Sequence, residues 1–160
     1  MKITVACIGK LKEAYWREGV LEYQKRFKRY GELEILEFPD EKTKEHASEQ
    51  EEELIRKKEG KPLCSYLDSQ NAYVIALVIK GKRMDSDAFS RMLGNLFSEG
   101  YSHVVFLIGG SLGLSGELMR RADLMLSFSD FTFPHQMMRV ILSEQLYRAM
   151  RILHHEPYHK

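Results

Sequence analysis

The sequence predicts an α/β fold, a mostly parallel sheet flanked by helices, and three observations carry that expectation. Strand-length apolar runs alternate with stretches of helical period in the order β-α-β-α-β-α-β-α-β-α. The runs at 72–79 and 104–108 are apolar without alternation, the pattern of strands covered on both faces. Glycines follow the runs at 3–8 and 104–108, where a strand must hand over to a helix. A length of 160 residues suits a single domain, 1–160, with a substantial core.

Residues 3–8 read as a buried strand. Gly9 turns the chain into a helix over 11–29, in which Trp16, Val20, Tyr23 and Phe27 recur at helical spacing. Residues 33–38 form the second strand, closed by Pro39 and Asp40. The stretch 40–60 is charged and poor in apolar residues, a loop leading to a solvated helix that starts near Ser48. After the strand at 72–79, Ser86 is placed to cap a helix whose Phe89, Met92, Leu93, Leu96 and Phe97 mark one face. Gly100 ends that helix. The strand at 104–108 enters a glycine loop, a short helix follows around 117–122, and a last strand spans 124–128. Pro134 opens the final helix in its first turn, where a missing N–H costs nothing.

The hydrophobic content of 44% and net charge of +1 describe an ordinary folded globule. That balance argues against wholesale coating by nucleic acid but permits a local basic patch. Residues 10–29 carry seven Lys or Arg against three Glu, and 40–61 eight acids against six bases, an unevenness expected to let one face attract phosphate while another repels it. Cys7 and Cys64 form no CxxC and read as two buried small hydrophobes in a reducing compartment. The apolar run at 3–8 is too short for a signal-peptide core or a membrane span, so the expected location is the cytoplasm.

In open parallel sheets, ligands bind beyond the C-terminal ends of the strands. Three loops meet that condition: 77–82 (LVIKGK), 109–113 and 128–133. The glycine loop at 109–113 allows close backbone approach and offers N–H groups. It is neither a Walker A loop nor GxGxxG, so a nucleoside held by backbone groups fits better than a triphosphate; a plain tight turn is the bland alternative. In 128–133, Phe128, Phe131 and Phe133 are interleaved with Ser129, Asp130 and Thr132. Apolar walls beside small hydrogen-bonding groups suit a flat heteroaromatic such as adenine. A strand end with core phenylalanines and a capping Thr132 is the competing explanation.

Four of the six histidines lie beyond Pro134. His46 and His103 read as surface or turn residues, and His135 falls in the first turn of the last helix. His154, His155 and His159 have no Cys or carboxylate partners at ligand spacing, so no metal is expected. No Ser-His-Asp order or hydrolytic carboxylate pair stands out. The last helix carries Met137, Met138, Ile141, Leu142, Leu146 and Met150, apolar on too many sides for one groove. Arg139 and Arg148 on that helix are costly to bury unpaired. Either Glu144 neutralises one of them across an interface or they face phosphate, which together suggests a site at an oligomer interface.

Several motifs together resemble one family. They are GKLK at 9–12, LVIKGK at 77–82, IGGSLG at 108–113, SDFTFPH at 129–135, RVILSEQLYRA at 139–149 and the terminal PYHK. The family is that of the RlmH-type SPOUT methyltransferases, which methylate N3 of a pseudouridine in 23S rRNA. The likeness spans essentially all 160 residues and is most specific in the C-terminal third. It implies a homodimer with a C-terminal trefoil knot, among the few exceptions to unknotted topology. It also implies S-adenosylmethionine held in that knot by Leu77, Gly109, Phe128, Ser129, Asp130, Phe131, Thr132 and Phe133, with Gly110 and Gly113 shaping the loop. Arg139, Arg148, Tyr158 and His159 become the RNA-facing set. Two positions depart from the family pattern: Leu112 stands where a polar or acidic residue is usual, and Val78 where an acid often follows the strand leucine.

The implied reaction is in-line displacement at a sulfonium methyl by N3 of the base, on an assembled ribosome in preference to free RNA. N3 starts as N–H, so His159 or His135 is expected to accept a proton, or Arg139 to stabilise the anionic base. Two readings compete: a non-catalytic RNA-binding protein with a vestigial pocket, and a flavodoxin-like nucleotide-binding domain whose glycine loop prefers phosphates.

Overall fold

A computed structural model describes residues 1–158 of the chain. Five strands, β1 (Lys2–Ile8), β2 (Glu32–Phe38), β3 (Tyr73–Arg83), β4 (His103–Ile108) and β5 (Leu124–Ser127), form one sheet in the order β2-β1-β4-β3-β5. Every pairing is parallel, with Val5 in register with Ile35 on one side and Phe106 on the other. The helices are α1 (Ala14–Phe27), α2 (Glu49–Asp68), α3 (Ser86–Ser98), α4 (Gly116–Arg120) and α5 (His135–Leu153). The expected element order is therefore present in full.

The two-residue period of the strands explains their unbroken apolar character. Ile3, Val5 and Cys7 of β1 and Val104, Phe106 and Ile108 of β4 enter one core with residues of α1, α3 and α5. Ala6 and Ile8, with Val105 and Leu107, enter a second core beneath α2 and α4. Both cysteines are buried and free, and burial pushes the Cys7 thiol up to about 12.

Local hydrogen bonds move several boundaries from their expected places. Helix α1 begins at Ala14, three residues late, because side chains claim the preceding N–H groups: Leu11 N donates to Glu37 Oε1 and Lys12 N to Gln136 Oε1. Ser48 caps α2 with a full capping box to Glu51, yet the helix runs on through Pro62 to Asp68 because Leu63, Cys64 and Leu67 bury. Asp85, not Ser86, caps α3, accepting from Ala88 N; the Ser86 hydroxyl donates instead to Gln145 on α5. Pro134 stands one position before α5, as its N-cap. His103 is half-buried on β4 and hydrogen-bonds Thr4 Oγ1 at 2.9 Å, so it is no turn residue.

Strand β3 continues past Ile79 to Arg83, but not smoothly. Leu77 pairs with Leu126, and the ladder resumes with Lys82 against the same Leu126, so residues 78–81 bulge out. Gly81 makes the return possible: a Cβ there would lie 2.6 Å from the Leu126 carbonyl carbon.

Candidate functional site

The C-terminal ends of β3, β4 and β5 open onto a cavity of about 1020 Å³. Three walls come from the loops that follow these strands. Leu77 of β3 and its bulge residues Val78, Ile79 and Lys80 contribute one wall. The glycine loop contributes Gly109 to Gly113, closed on itself by Gly113 N donating to Gly110 O at 3.1 Å. Gly113 has φ of +81° and Gly109 leaves no space, since a Cβ there would sit 2.5 Å from the Gly113 carbonyl carbon. The third wall is the segment after β5, whose turn is set by Phe131 N donating to Ser129 Oγ at 3.0 Å.

Of the residues expected to hold a cofactor, Leu77, Gly109, Phe128, Ser129, Phe131, Thr132 and Phe133 all line this cavity. Asp130 does not; its carboxylate pairs with Arg83 on the exposed flank of β3. Phe128 does double duty, lining the cavity while its ring packs 6.2 Å from Phe89 in the core. Phe131 is 79% exposed, a large aromatic side chain left mostly in solvent. Leu112 and Val78, the two departures from the family pattern, both line the cavity. Glycine-walled slots, apolar faces and this volume fit a nucleoside cofactor.

His135 and Met138 bring the start of α5 to the same cavity. Burial lowers the His135 pKa below its ordinary value, Arg139 and Lys12 lower it further, and Asp40 opposes them. The imidazole is therefore neutral near pH 7.

Arg139 is placed differently from a residue that meets RNA. It is 0% exposed, donating from Nη1 to Glu37 Oε1 at 2.9 Å and from Nη2 to the carbonyls of Ile8 (3.0 Å) and Gly9 (2.8 Å). Three acceptors offset the cost of burying the charge, and the guanidinium ties α5 to the exits of β1 and β2. It acts on the cavity through the elements it holds and through its charge, which lowers the His135 pKa. Arg148 and Tyr158 do come together: Arg148 pairs with Glu144 at 2.6 Å, lies 4.7 Å from the Tyr158 ring centre, and Tyr158 donates to Glu144 at 3.2 Å. Glu144 thus neutralises its own helix neighbour. Burial, first of all, pushes the Tyr158 hydroxyl up to about 12. Glu156 fixes the approach of this tail through Arg29, Tyr30 and Arg151. His159 lies outside the described residues.

The charges of α2, expected from the sequence to form a solvated face, include three that do not. Glu53 and Arg56 line the cavity. Glu59 is only 4% exposed, behind Gly110; its Oε1 accepts from Glu41 N at 2.9 Å, and its Oε2 is buried without a hydrogen-bond partner among the described residues. Burial raises its pKa. The one signal was Gly60 beside it, which lets α2 approach α4 so closely that a Cβ would lie 2.7 Å from Ser115 Oγ. Among the described residues no group of three or more His, Cys, Asp or Glu is placed to hold a metal, and no helix is long and apolar enough to cross a membrane.

An all-parallel sheet with a glycine-walled, partly aromatic cavity at its strand ends defines an α/β protein built to hold a nucleoside. The family described as "Predicted SPOUT methyltransferase" matches residues 1–159, and the chain belongs to that family. It is 50% identical over 160 residues to the ribosomal RNA large subunit methyltransferase H of Clostridium kluyveri, with 100% of both chains covered. It is similarly 52% identical over 160 residues to the protein named ribosomal RNA large subunit methyltransferase H 1 in Clostridium perfringens, again covering 100% of each. Among solved structures, a probable methylase family protein from Haemophilus influenzae Rd KW20 shares the fold, with a TM-score of 0.56 at 11% identity, covering 99% of this chain and 70% of that one.

Proposed function

We propose that this chain transfers a methyl group from S-adenosylmethionine to N3 of a pseudouridine in 23S rRNA, on the assembled ribosome. The observation that carries this reading is the convergence of Leu77, Gly109 and the 128–133 segment on one cavity whose wall includes a neutral histidine. The names of the full-length relatives support large-subunit rRNA as the substrate.

S-adenosylmethionine supplies a methyl already activated by the sulfonium charge. The chain's own part is to hold and orient. The glycine loop and the β3 bulge shape a slot for the nucleoside, and Phe128, Phe131 and Phe133 give it apolar walls. Methyl transfer to N3 would require the N3 proton to leave. His135 is positioned and neutral, and so accepts it. His159 is the other candidate for that role. Arg139 contributes by fixing α5, and hence His135, against the strand exits.

The working form is a cytoplasmic homodimer with the family's trefoil knot at its C-terminal region. In support, Met137, Ile141, Glu144 and Arg148 form a half-buried row on α5 opposite its core face, and the exposed Phe131 and Phe133 extend the apolar surface. Arg148 and Tyr158 meet RNA from that side. Mass spectrometry of rRNA from a strain lacking the gene tests the reading: one methyl on pseudouridine should be missing. Purified protein should restore it on intact ribosomes and leave naked transcript unmodified. Full methylation in the deletion strain, with no affinity for S-adenosylmethionine, would make the chain a non-catalytic RNA-binding protein.

A further inference from the structure

The cavity is mostly uncharged, and that makes its few charges informative. Apolar side chains, glycines and small hydroxyls form almost all of the lining; the formally charged side chains there are Glu53 and Arg56 from α2 and Lys80 from the β3 bulge. Glu59 is nearby but sits behind Gly110 and does not line the cavity. Glu53 is therefore the one carboxylate in the lining among the described residues.

Glu53 and Arg56 are three residues apart, on the same face of α2. Arg56 Nε donates to Glu53 Oε2 at 3.0 Å, which leaves the other carboxylate oxygen of Glu53 available. The Arg56 terminal nitrogen Nη1 stands 3.6 Å from Glu52 Oε2, beyond hydrogen-bond length. No hydrogen bond among the described residues engages the terminal nitrogens. The side chain is nonetheless held, at 20% exposure, against a wall of the cavity. A guanidinium hydrogen-bonded by one edge, its fork engaged only in the long ion pair to Glu52, is a ready partner for a carboxylate.

A nucleoside with only a thioether would leave this pair without a purpose. S-adenosylmethionine carries, besides its base and ribose, an amino-acid end with one α-carboxylate and one α-ammonium. The lining offers one matching charge pair of opposite sign, on one rigid helix. We infer that Arg56 and Glu53 bind the amino-acid end of the cofactor, Arg56 taking the carboxylate and Glu53 the ammonium. This rests on the proposed cofactor. It extends the site from the three strand-end loops to α2, and gives that helix a role in choosing among adenosine compounds.

Two ligands separate this role from a structural one. S-adenosylhomocysteine has the amino-acid end; 5′-methylthioadenosine shares the base, ribose and thioether but lacks it. Calorimetric titration of the full chain should show Arg56→Met weakening S-adenosylhomocysteine roughly tenfold to a hundredfold, the loss of a charge-assisted hydrogen bond. Binding of 5′-methylthioadenosine should change by less than about twofold, since the variant leaves its contacts intact. Glu53→Gln should show the same selectivity with a smaller loss, and Lys80→Met should spare both ligands. Equal weakening of the two ligands by Arg56→Met would reduce Arg56 to a structural residue and overturn the inference. So would unchanged binding of both, or a selective loss appearing in Lys80→Met instead. If the unmodified protein binds neither ligand, the cofactor assignment itself fails, and this inference with it.

Discussion

Arg139 on α5 reaches Glu37 on β2 at 2.9 Å across 102 residues of sequence, with its guanidinium wholly out of solvent. The same side chain satisfies the last carbonyl of β1 and that of Gly9. Glu37 in turn receives Leu11 N, so one ion pair organises the loop that leaves β1. The pair fixes three elements at the end of the sheet where the cavity opens.

Arg139→Met should destabilise the chain by about 3 kcal/mol, because it strips three acceptors of their donor at once. Arg139→Lys should recover only part of this, since an ammonium cannot span the fork. Urea unfolding measures both. If Arg139→Met unfolds within error of the parent chain, the buried network contributes nothing to stability.

His135 makes a pH-dependent prediction. Its folded pKa lies below the ordinary value of 6.5, chiefly through burial, so the unfolded chain binds the proton more readily. Stability from the neutral imidazole is therefore present above pH 6.5 and is lost as the pH falls through the folded value. His103 is lowered in the same direction by burial and Lys2. Melting temperature should fall from pH 7 toward pH 5, and His135→Gln should reduce that fall. The methyl-transfer rate of the parent chain should hold up as the pH drops to 6.5, since the base remains neutral there. A single-turnover rate that His135→Gln leaves unchanged would remove His135 as the proton acceptor.

Much of this was legible in the sequence, for physical reasons. Strands buried on both faces leave an unbroken apolar run, and β1, β3 and β4 did so. A loop that must approach a ligand or itself needs glycine, which exposed 109–113. What stayed hidden depended on partners remote in sequence. Nothing local to Arg139 announces Glu37, so the residues alone leave Glu144 or phosphate as its partner, and the family resemblance adds it to the RNA-facing set. The bulge at 78–81 exists because Gly81 meets the backbone of β5, a contact invisible from the LVIKGK run itself. The lining role of Glu53 and Arg56 was masked by the like-looking charges around them.

Asp130 and Gly109 should behave in opposite ways although the sequence resemblance implies a cofactor role for both. Asp130 turns out to Arg83, and exposed pairs contribute little. Asp130→Asn should alter S-adenosylhomocysteine affinity by less than about twofold. Gly109→Ala forces a Cβ into the backbone of Gly113 and Leu114, so the loop must open and affinity should fall by at least about tenfold. Equal losses in the two variants would mean that Asp130 reaches the ligand when it binds.

Glu59 is a buried carboxylate whose charge the fold disfavours. Desolvation raises its pKa above the ordinary 4.5, with Asp40 and Glu41 adding repulsion and the Glu41 N–H opposing. The folded chain thus holds the proton more tightly than the unfolded one. Stability associated with the protonated form is full at pH below 4.5 and declines as the pH rises through the folded value. Glu59→Gln keeps an acceptor for Glu41 N while removing the charge, so its melting temperature should exceed the parent's at pH 7. That advantage should shrink as the pH is lowered toward 4.5, where the parent is neutral too. A variant less stable than the parent at pH 7 would mean that the ionised carboxylate has a partner in the folded protein, and that Oε2 faces a bound cation or water the buried geometry must accommodate.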